Sequence, residues 1–378
     1  MADVARLFAD RYGREPDGVW HAPGRVNLIG EHTDYNEGFA LPFAISAGIC
    51  VAAAARDDGI IALSSRQHGD ATVTVALDTL APGRPSGWAA YPAGVAWALL
   101  SAGHHVGGAS LAIDSDLAAG AGLSSSAALE CAAGLAFADL SQLALPRPEL
   151  AALGRLAEND FVGAPTGLMD QMAVLLCQDG HALLLDCRTG TGTAVPLDPA
   201  AAGLVLLIID TRVQHELTDG GYGARRRACE DAARLLGARS LRDVTDVSVL
   251  DQLSDRVLQQ RARHVITENR RALDTAELLR EGQLSLAGPL LTASHASLRD
   301  DFAVSWPEAD AAVEAAIEAG AHGARMTGGG FGGSVIALAP ACAAAGVSAA
   351  VAARFARQGW RAPVITPTRP SQSARRLV

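Results

Sequence analysis

The chain has 378 residues, 49% of them hydrophobic and 19% charged, with a formal net charge of −10. The length suggests two domains sharing a cleft, with ample apolar material for a packed core. The acidic balance argues against a nucleic-acid partner, which needs a basic face, and no apolar run approaches the roughly 18 residues of a membrane span.

The opening residues carry acids and lack a basic-then-apolar leader pattern. Cys50, Cys131, Cys177, Cys187, Cys229 and Cys342 are scattered, with no Cys-x-x-Cys pair. Such thiols fit a reducing cytosol and no disulfide or zinc framework, so a cytoplasmic protein is expected. A chain of this size and acidity is expected to be a monomer. Apart from histidine, every basic side chain is Arg, and Lys is absent. That excludes Schiff-base chemistry, a Walker-type phosphate-loop lysine and the lysine of eukaryotic protein-kinase folds, even though genomic bias toward Arg and Ala explains it.

Residues 24–35 read Gly-Arg-Val-Asn-Leu-Ile-Gly-Glu-His-Thr-Asp-Tyr. Arg25, Glu31, His32 and Asp34 stand among Val26, Leu28 and Ile29, a setting that buries its neighbours. Buried charges need partners. A ligand rich in hydroxyls is one, since carboxylates accept from O–H groups while Arg and His donate to oxygens; an internal ion-pair network is the other. Residues 48–55 and 60–64 read as strands around the turn at Asp57-Asp58-Gly59, 88–100 as a helix and 110–114 as a short strand.

Gly120-Ala121-Gly122-Leu123-Ser124-Ser125-Ser126 runs into a helix over 127–140 that is apolar nearly all round and therefore buried. Glycines allow close approach of backbone to an anion, and the helix start adds unpaired N–H groups. The loop is a phosphate cradle without a lysine, or else a serine-rich cap with no ligand. Further on, Glu158 is a surface acid or a Mg²⁺ ligand. Asp170, after the Pro165 and Gly167 turn, is a satisfied helix cap or a catalytic carboxylate.

Residues 183–186 and 204–210 are apolar enough for central strands, and 190–203 is the candidate boundary between lobes. Residues 222–282 are mostly helical, 309–319 is a helix and 334–338 a strand. Five glycines between Gly328 and Gly333 precede that strand. A dinucleotide fingerprint requires a helix there, so a Rossmann reading fails. The glycines mark either close backbone approach to a ligand or loop, or a flexible turn. No histidine pair has zinc-ligand spacing, and no serine-hydrolase elbow is present. Strands and helices without strict alternation indicate an α+β fold.

In this order the segments resemble the GHMP small-molecule kinases, and residues 24–35 narrow the resemblance to the galactokinase family. Residues 120–127 are similar to the family's phosphate loop and 326–333 to its third motif. Further similarity lies in Gly167-Leu168-Met169-Asp170-Gln171, in Tyr222 before Arg225-Arg226-Arg227, and in residues 294–301. The resemblance implies a two-lobed fold of mixed sheets and helices with the active site in the cleft. Residues 1–200 would carry the sugar and phosphate-loop motifs and 201–378 the third motif. It implies ATP-dependent phosphorylation of D-galactose at O1, with Asp170 as base and Arg25 as its electrostatic companion. Arg25, Glu31, His32, Asp34, Gly167, Asp170 and Tyr222 would bind sugar. Gly120, Ala121, Gly122, Leu123, Ser124, Ser125, Ser126 and Trp88 would bind ATP, and Ser126 with Glu158 would hold Mg²⁺. Glu37 departs mildly from the pattern, in which many relatives carry Gly or Asp.

Overall fold

The computed structural model describes residues 2–69, 71–118, 120–214 and 221–378. Helix α1 (Ala2–Tyr12) leads into β1 (Gly18–Asn27), β2 (Phe39–Ala40), β3 (Pro42–Arg56), β4 (Ile60–Ser65), β5 (Val73–Ala76), α2 (Ala90–Ser101) and β6 (Gly108–Ser115). Next come α3 (Ser125–Leu140), α4 (Arg147–Leu156), α5 (Met169–Leu176), β7 (His181–Asp186), β8 (Thr191–Pro196) and β9 (Leu204–Asp210). The last part holds α6 (Gly221–Leu235), α7 (Arg256–Arg280), α8 (Gly288–Asp300), α9 (Pro307–Glu318), β10 (Gly323–Thr327), β11 (Ser334–Pro340), α10 (Ala344–Gln358), β12 (Val364–Thr368) and β13 (Arg375–Arg376).

Among the described residues the strands form three sheets, ordered β13-β1-β3-β6-β4-β5, β10-β11-β9-β12 and β2-β7-β8. Only the β4–β6 pair is parallel, so no doubly wound sheet forms and the fold is α+β. The turn at Asp57-Asp58-Gly59 does not close a hairpin: β6 inserts between β3 and β4. Gly108 permits that insertion, because a side chain there would come within 2.8 Å of the Ile60 backbone. The boundary stretch 190–203 is also more than linker. Its first part is β8, paired with β7, with Gly192 under Leu183 and Val195 buried.

Strand β9 explains its own unbroken apolar run. Leu206 and Ile208 face the core shared with β1, β3 and α3, while Leu207 and Ile209 face a second core built with α6, α7, α9 and α10. A strand covered on both faces has no polar side to display. Helix α3 is likewise buried on nearly every face, from Ala127 to Ala138, and packs on β1, β3 and helices α2, α4 and α5. Its N-terminus therefore opens where the sheets and helices meet. Strand β13 returns the chain's end to β1, pairing Arg376 with Trp20. No helix among the described residues is long and apolar enough to cross a membrane.

Candidate active site

The site starts from a bulge. The register of β1 on β3 shifts between Pro23 and Arg25, and Gly24 sits where a side chain would reach within 2.6 Å of Leu117. The Arg25 N–H leaves the ladder and donates to the Leu123 carbonyl at 3.1 Å. Bulges re-aim side chains in this way. Arg25, only 4% exposed, donates from Nε and Nη2 to the two oxygens of Asp170 at 2.8 and 2.9 Å, and from Nη1 to the Gly122 carbonyl at 2.7 Å. Burial opposes its charge, but the Asp170 and Glu31 carboxylates outweigh burial and raise its pKa. Asp170 lies in the first turn of α5 without capping it. Its Oδ2 also accepts from the Ser124 hydroxyl at 2.6 Å.

A cavity opens beside this pair, lined by Arg25, Glu31, His32, Asp34, Asp170 and Tyr222 and also by Gly167, Ser126 and Glu158. Gly167 is explained by Asp34: a Cβ there would lie 1.7 Å from the Asp34 carboxylate. Burial, followed by the neighbouring Asp170 charge, pushes the Asp34 carboxyl up to about 6. Burial also pushes the Tyr222 phenol well above its ordinary range, and the His32 imidazole well below. His32 adopts φ 61°, joins Tyr35 through Nδ1 at 2.8 Å, and leaves Nε2 buried without an internal partner.

Glu31 shows that the two readings of this segment are not exclusive. Its carboxylate accepts from Asn27 Nδ2 at 2.6 Å, Gly328 N at 2.7 Å and Thr327 Oγ1 at 3.2 Å, yet it still lines the cavity. The fully buried Arg325 stands 3.5 Å away, within ion-pair range but without hydrogen-bond geometry. Asn27, Thr327 and Arg325 were not anticipated from sequence; an arginine inside the short strand β10 was the available signal. Glu37, at φ 57°, is tied to Arg188 at 2.7 Å and Arg239 at 2.9 Å, which secures its loop.

On the other side of Asp170, Gly120 and Gly122 hold φ of 75° and 73°, and Ser124 occupies the N-cap of α3 in a left-handed conformation. Because the Ser124 hydroxyl is given to Asp170, the helix start has no side-chain cap. The serine-cap alternative therefore fails for Ser124. The loop 328–333 packs on this turn: Ser334 Oγ donates to the Ala121 carbonyl at 2.7 Å, and a Cβ at Gly328 would be 3.1 Å from the Gly122 carbonyl. Gly328 and Gly333 serve close approach to this turn, while Gly328 and Gly329 also line the cavity.

Two more cavities extend the first. One runs along Gly120, Gly122, Leu123, Ser124, Ser125 and Ser126, and shares Arg25 and Asp170 with the first. The next shares Ser125 and Ser126 and continues past Ile113, Tyr91 and Trp88. Trp88 is stacked on His68 with ring centroids 5.1 Å apart and planes 7° apart. The three form one trough. Ala121 is buried under the loop and lines none of them.

Glu158 is no surface acid: it is 2% exposed, on a π-turn spanning Ala157–Val162. It accepts from Thr166 at 2.7 Å and Gln171 at 2.9 Å; burial raises its pKa, and Thr166 and the nearby Ser126 hydroxyl oppose that rise. No group of three or more His, Cys, Asp or Glu suited to a metal occurs among the described residues. Ser126 and Glu158 are a hard-oxygen pair, and Mg²⁺ takes one or two carboxylates with phosphate oxygens completing its shell, so the pair fits that ion.

The chain matches the galactokinase galactose-binding signature over residues 6–55, the GHMP kinase N-terminal domain over 90–178 and the GHMP kinase C-terminal domain over 275–357. It is 49% identical to Streptomyces coelicolor galactokinase, over 99% of this chain and 98% of that protein. Against Mycobacterium tuberculosis galactokinase the identity is 48%, over 92% and 96%. The crystal structure of Lactococcus lactis galactokinase complexed with galactose superposes with a TM-score of 0.94 at 32% identity, covering 100% of this chain and 99% of that one.

Proposed function

This chain belongs to the galactokinase family of GHMP kinases and is a kinase of sugar hydroxyls, and on that premise we propose that it transfers the γ-phosphoryl group of ATP to O1 of D-galactose. The products are galactose 1-phosphate and ADP. In this reading residues 1–200 supply the phosphate loop and most of the sugar-binding groups, and 201–378 add Tyr222 and the glycine-rich loop, whose Gly328 and Gly329 line the cavity. The observation that carries the reading is Asp170, held by Arg25 and Ser124 where the sugar-side cavity meets the 120–126 loop.

Asp170 accepts the proton from the O1 hydroxyl as that oxygen attacks phosphorus. Its Oδ2 already takes two donors and its Oδ1 one, so Oδ1 retains the free lone pair for a substrate hydroxyl. Arg25, rigidly held, keeps its positive charge beside the phosphoryl oxygens, and a preorganised charge of that kind stabilises a transition state without reorganising. ATP phosphates lie along the 120–126 loop and the start of α3, with the base toward Trp88. Ser126 and Glu158 would hold Mg²⁺, which supplies neutralising charge to the phosphates when bound. Asp34 and Tyr222 recognise sugar hydroxyls, and the unpartnered Nε2 of His32 donates to a sugar oxygen once Nδ1 accepts from Tyr35.

ADP release measured across galactose, N-acetylgalactosamine, arabinose and glucose tests the proposal. Turnover is expected with galactose. Preference for another aldose would reassign the substrate, and sugar binding without any turnover would replace the enzyme with a sensor on the same scaffold.

A further inference from the structure

The segment carrying Glu31 and His32 is held in a shape its own residues do not favour. Gly30 has φ 96°, and a Cβ there would lie 2.5 Å from the Phe39 carbonyl; His32 has φ 61°. A left-handed conformation is costly for a residue with a Cβ and persists only where its surroundings over-determine it. The Gly30 and Glu31 N–H groups find no strand partner. Both donate to one oxygen, Oε1 of Glu268 on α7, at 2.9 and 3.4 Å. The same oxygen accepts from Ser294 Oγ on α8 at 2.7 Å, and Oε2 accepts from Arg271 Nε at 2.8 Å.

One helical turn earlier, His264 Nε2 lies 3.1 Å from the Glu31 carbonyl. A carbonyl only accepts, so Nε2 carries the proton, and with the imidazole pushed down to about 4, chiefly by burial, the ring is neutral. Its Nδ1 then accepts from the Ser297 hydroxyl at 2.9 Å. We infer that Glu268 and His264 are positioning residues for sugar recognition: spaced four apart on α7, they grip the Glu31 backbone by its N–H and its C=O and so set Glu31 and His32 in the cavity.

The chemistry of Glu268 supports this role over mere packing. The side chain is fully buried, and an ionised carboxylate in such a place is tolerated only when its oxygens are filled. Burial pushes its pKa up, but Arg271 and the nearby cations outweigh burial and bring it down to about 2. The carboxylate is therefore charged at every working pH, and two of its four donors are loop amides. Ser294 and Ser297 also give a task to the 294–301 segment, none of whose residues lines the cavity. The inference rests on the galactose-kinase reading for what the loop recognises, but not for the clamp itself.

Glu268→Gln keeps the shape while placing an amide N–H where one donor already points. The expected result is a galactose KM raised about 10- to 100-fold, the loss of one charge-assisted hydrogen bond, with the ATP KM within about twofold of the parent. Amide hydrogen exchange of the peptide over residues 28–33 is expected to accelerate. Galactose and ATP KM rising together, or neither rising, would overturn the inference. Should Glu268→Gln fail to fold, Ser294→Ala removes one donor and leaves the Arg271 pair; it is expected to give the same split, several-fold smaller. If the parent enzyme turns over no galactose, the proposed function fails and exchange alone judges the clamp, with unchanged protection of 28–33 refuting it.

Discussion

The two ends of the trough are built on opposite plans. At the end proposed to take the sugar, nearly every charge is engaged by the protein itself: Arg25 with Asp170, Glu31 with Asn27 and Gly328, and Glu268 with two loop amides. At the end proposed to take the nucleotide, the 120–126 loop carries no charged side chain, the start of α3 lacks a side-chain cap, and Trp88 rests on His68. The first is a preformed constellation whose ordering is completed on folding, which favours specificity. The second presents backbone N–H groups and hydroxyls, which can meet phosphates by dipole alone and, in the proposed function, would leave net charge to Arg25 and a bound metal. Asp170 is the hinge between the plans, because it touches both.

Asp170→Asn cuts at that hinge and is expected to have the largest effect. General-base loss should lower kcat by about 10²- to 10⁴-fold, with galactose affinity much less altered, as steady-state kinetics and calorimetry would show. Undiminished turnover would remove Asp170 from the chemistry. Gly167→Ala strikes only the sugar end. Its Cβ would occupy the place of the Asp34 carboxylate, and misplacing a recognition group by about 1 Å costs on the order of 10²-fold in kcat/KM. The ATP KM should stay unchanged; if both substrates suffer, the ends are not independent.

Trp88→Ala strikes only the other end. Loss of a stacking surface worth roughly 1–3 kcal/mol should raise the ATP KM about tenfold or more while sparing galactose. An unaffected ATP KM would move the base away from the Trp88–His68 wall.

The smallest expected effect is a pH dependence. Asp34 titrates near 6 in the fold against an ordinary value of 3.8, so lowering the pH from 7.5 to 5.5 should raise the galactose KM about fourfold as the acceptor is protonated. Asp34→Asn should flatten that profile. The sign for stability is opposite: a raised carboxyl pKa means the fold binds the proton better, a contribution complete below 3.8 and lost as pH rises through about 6. Melting temperature at pH 7.5 is therefore expected to rise in Asp34→Asn even as recognition falls. No such rise would place the cause of the shift outside the folded site.

How much could be read without coordinates depended on the range of the interaction. Helix α3 was legible because its apolar residues surround a helix of ordinary length, and β9 because an unbroken apolar run suits a strand covered on both faces. Arg25, Glu31, His32 and Asp34 drew notice as charges crowded into an apolar setting. The pairing of β3 with β6 was not legible, since a turn at Asp57-Asp58-Gly59 suits a hairpin equally well. Nor was Glu268, which looks like any acid on a long charged helix; its partners Gly30 and Glu31 lie 238 and 237 residues away in the chain.

The amino-acid order by itself determined the element types, the exclusion of lysine chemistry and the candidate groups, because backbone preference, side-chain chemistry and apolar periodicity are local properties. It left Asp170 poised between helix cap and base, Glu158 between surface acid and magnesium ligand, and residues 24–35 between ion pairs and a binding surface. Tertiary structure removed the blander alternative from the first two and dissolved the third: Asp170 gives its oxygens to Arg25 and Ser124 and caps no helix, burial takes Glu158 from solvent, and Glu31 is paired yet faces a cavity. Charge pairing and desolvation act through space over a few ångströms, and only the folded chain brings residues hundreds of positions apart within that distance.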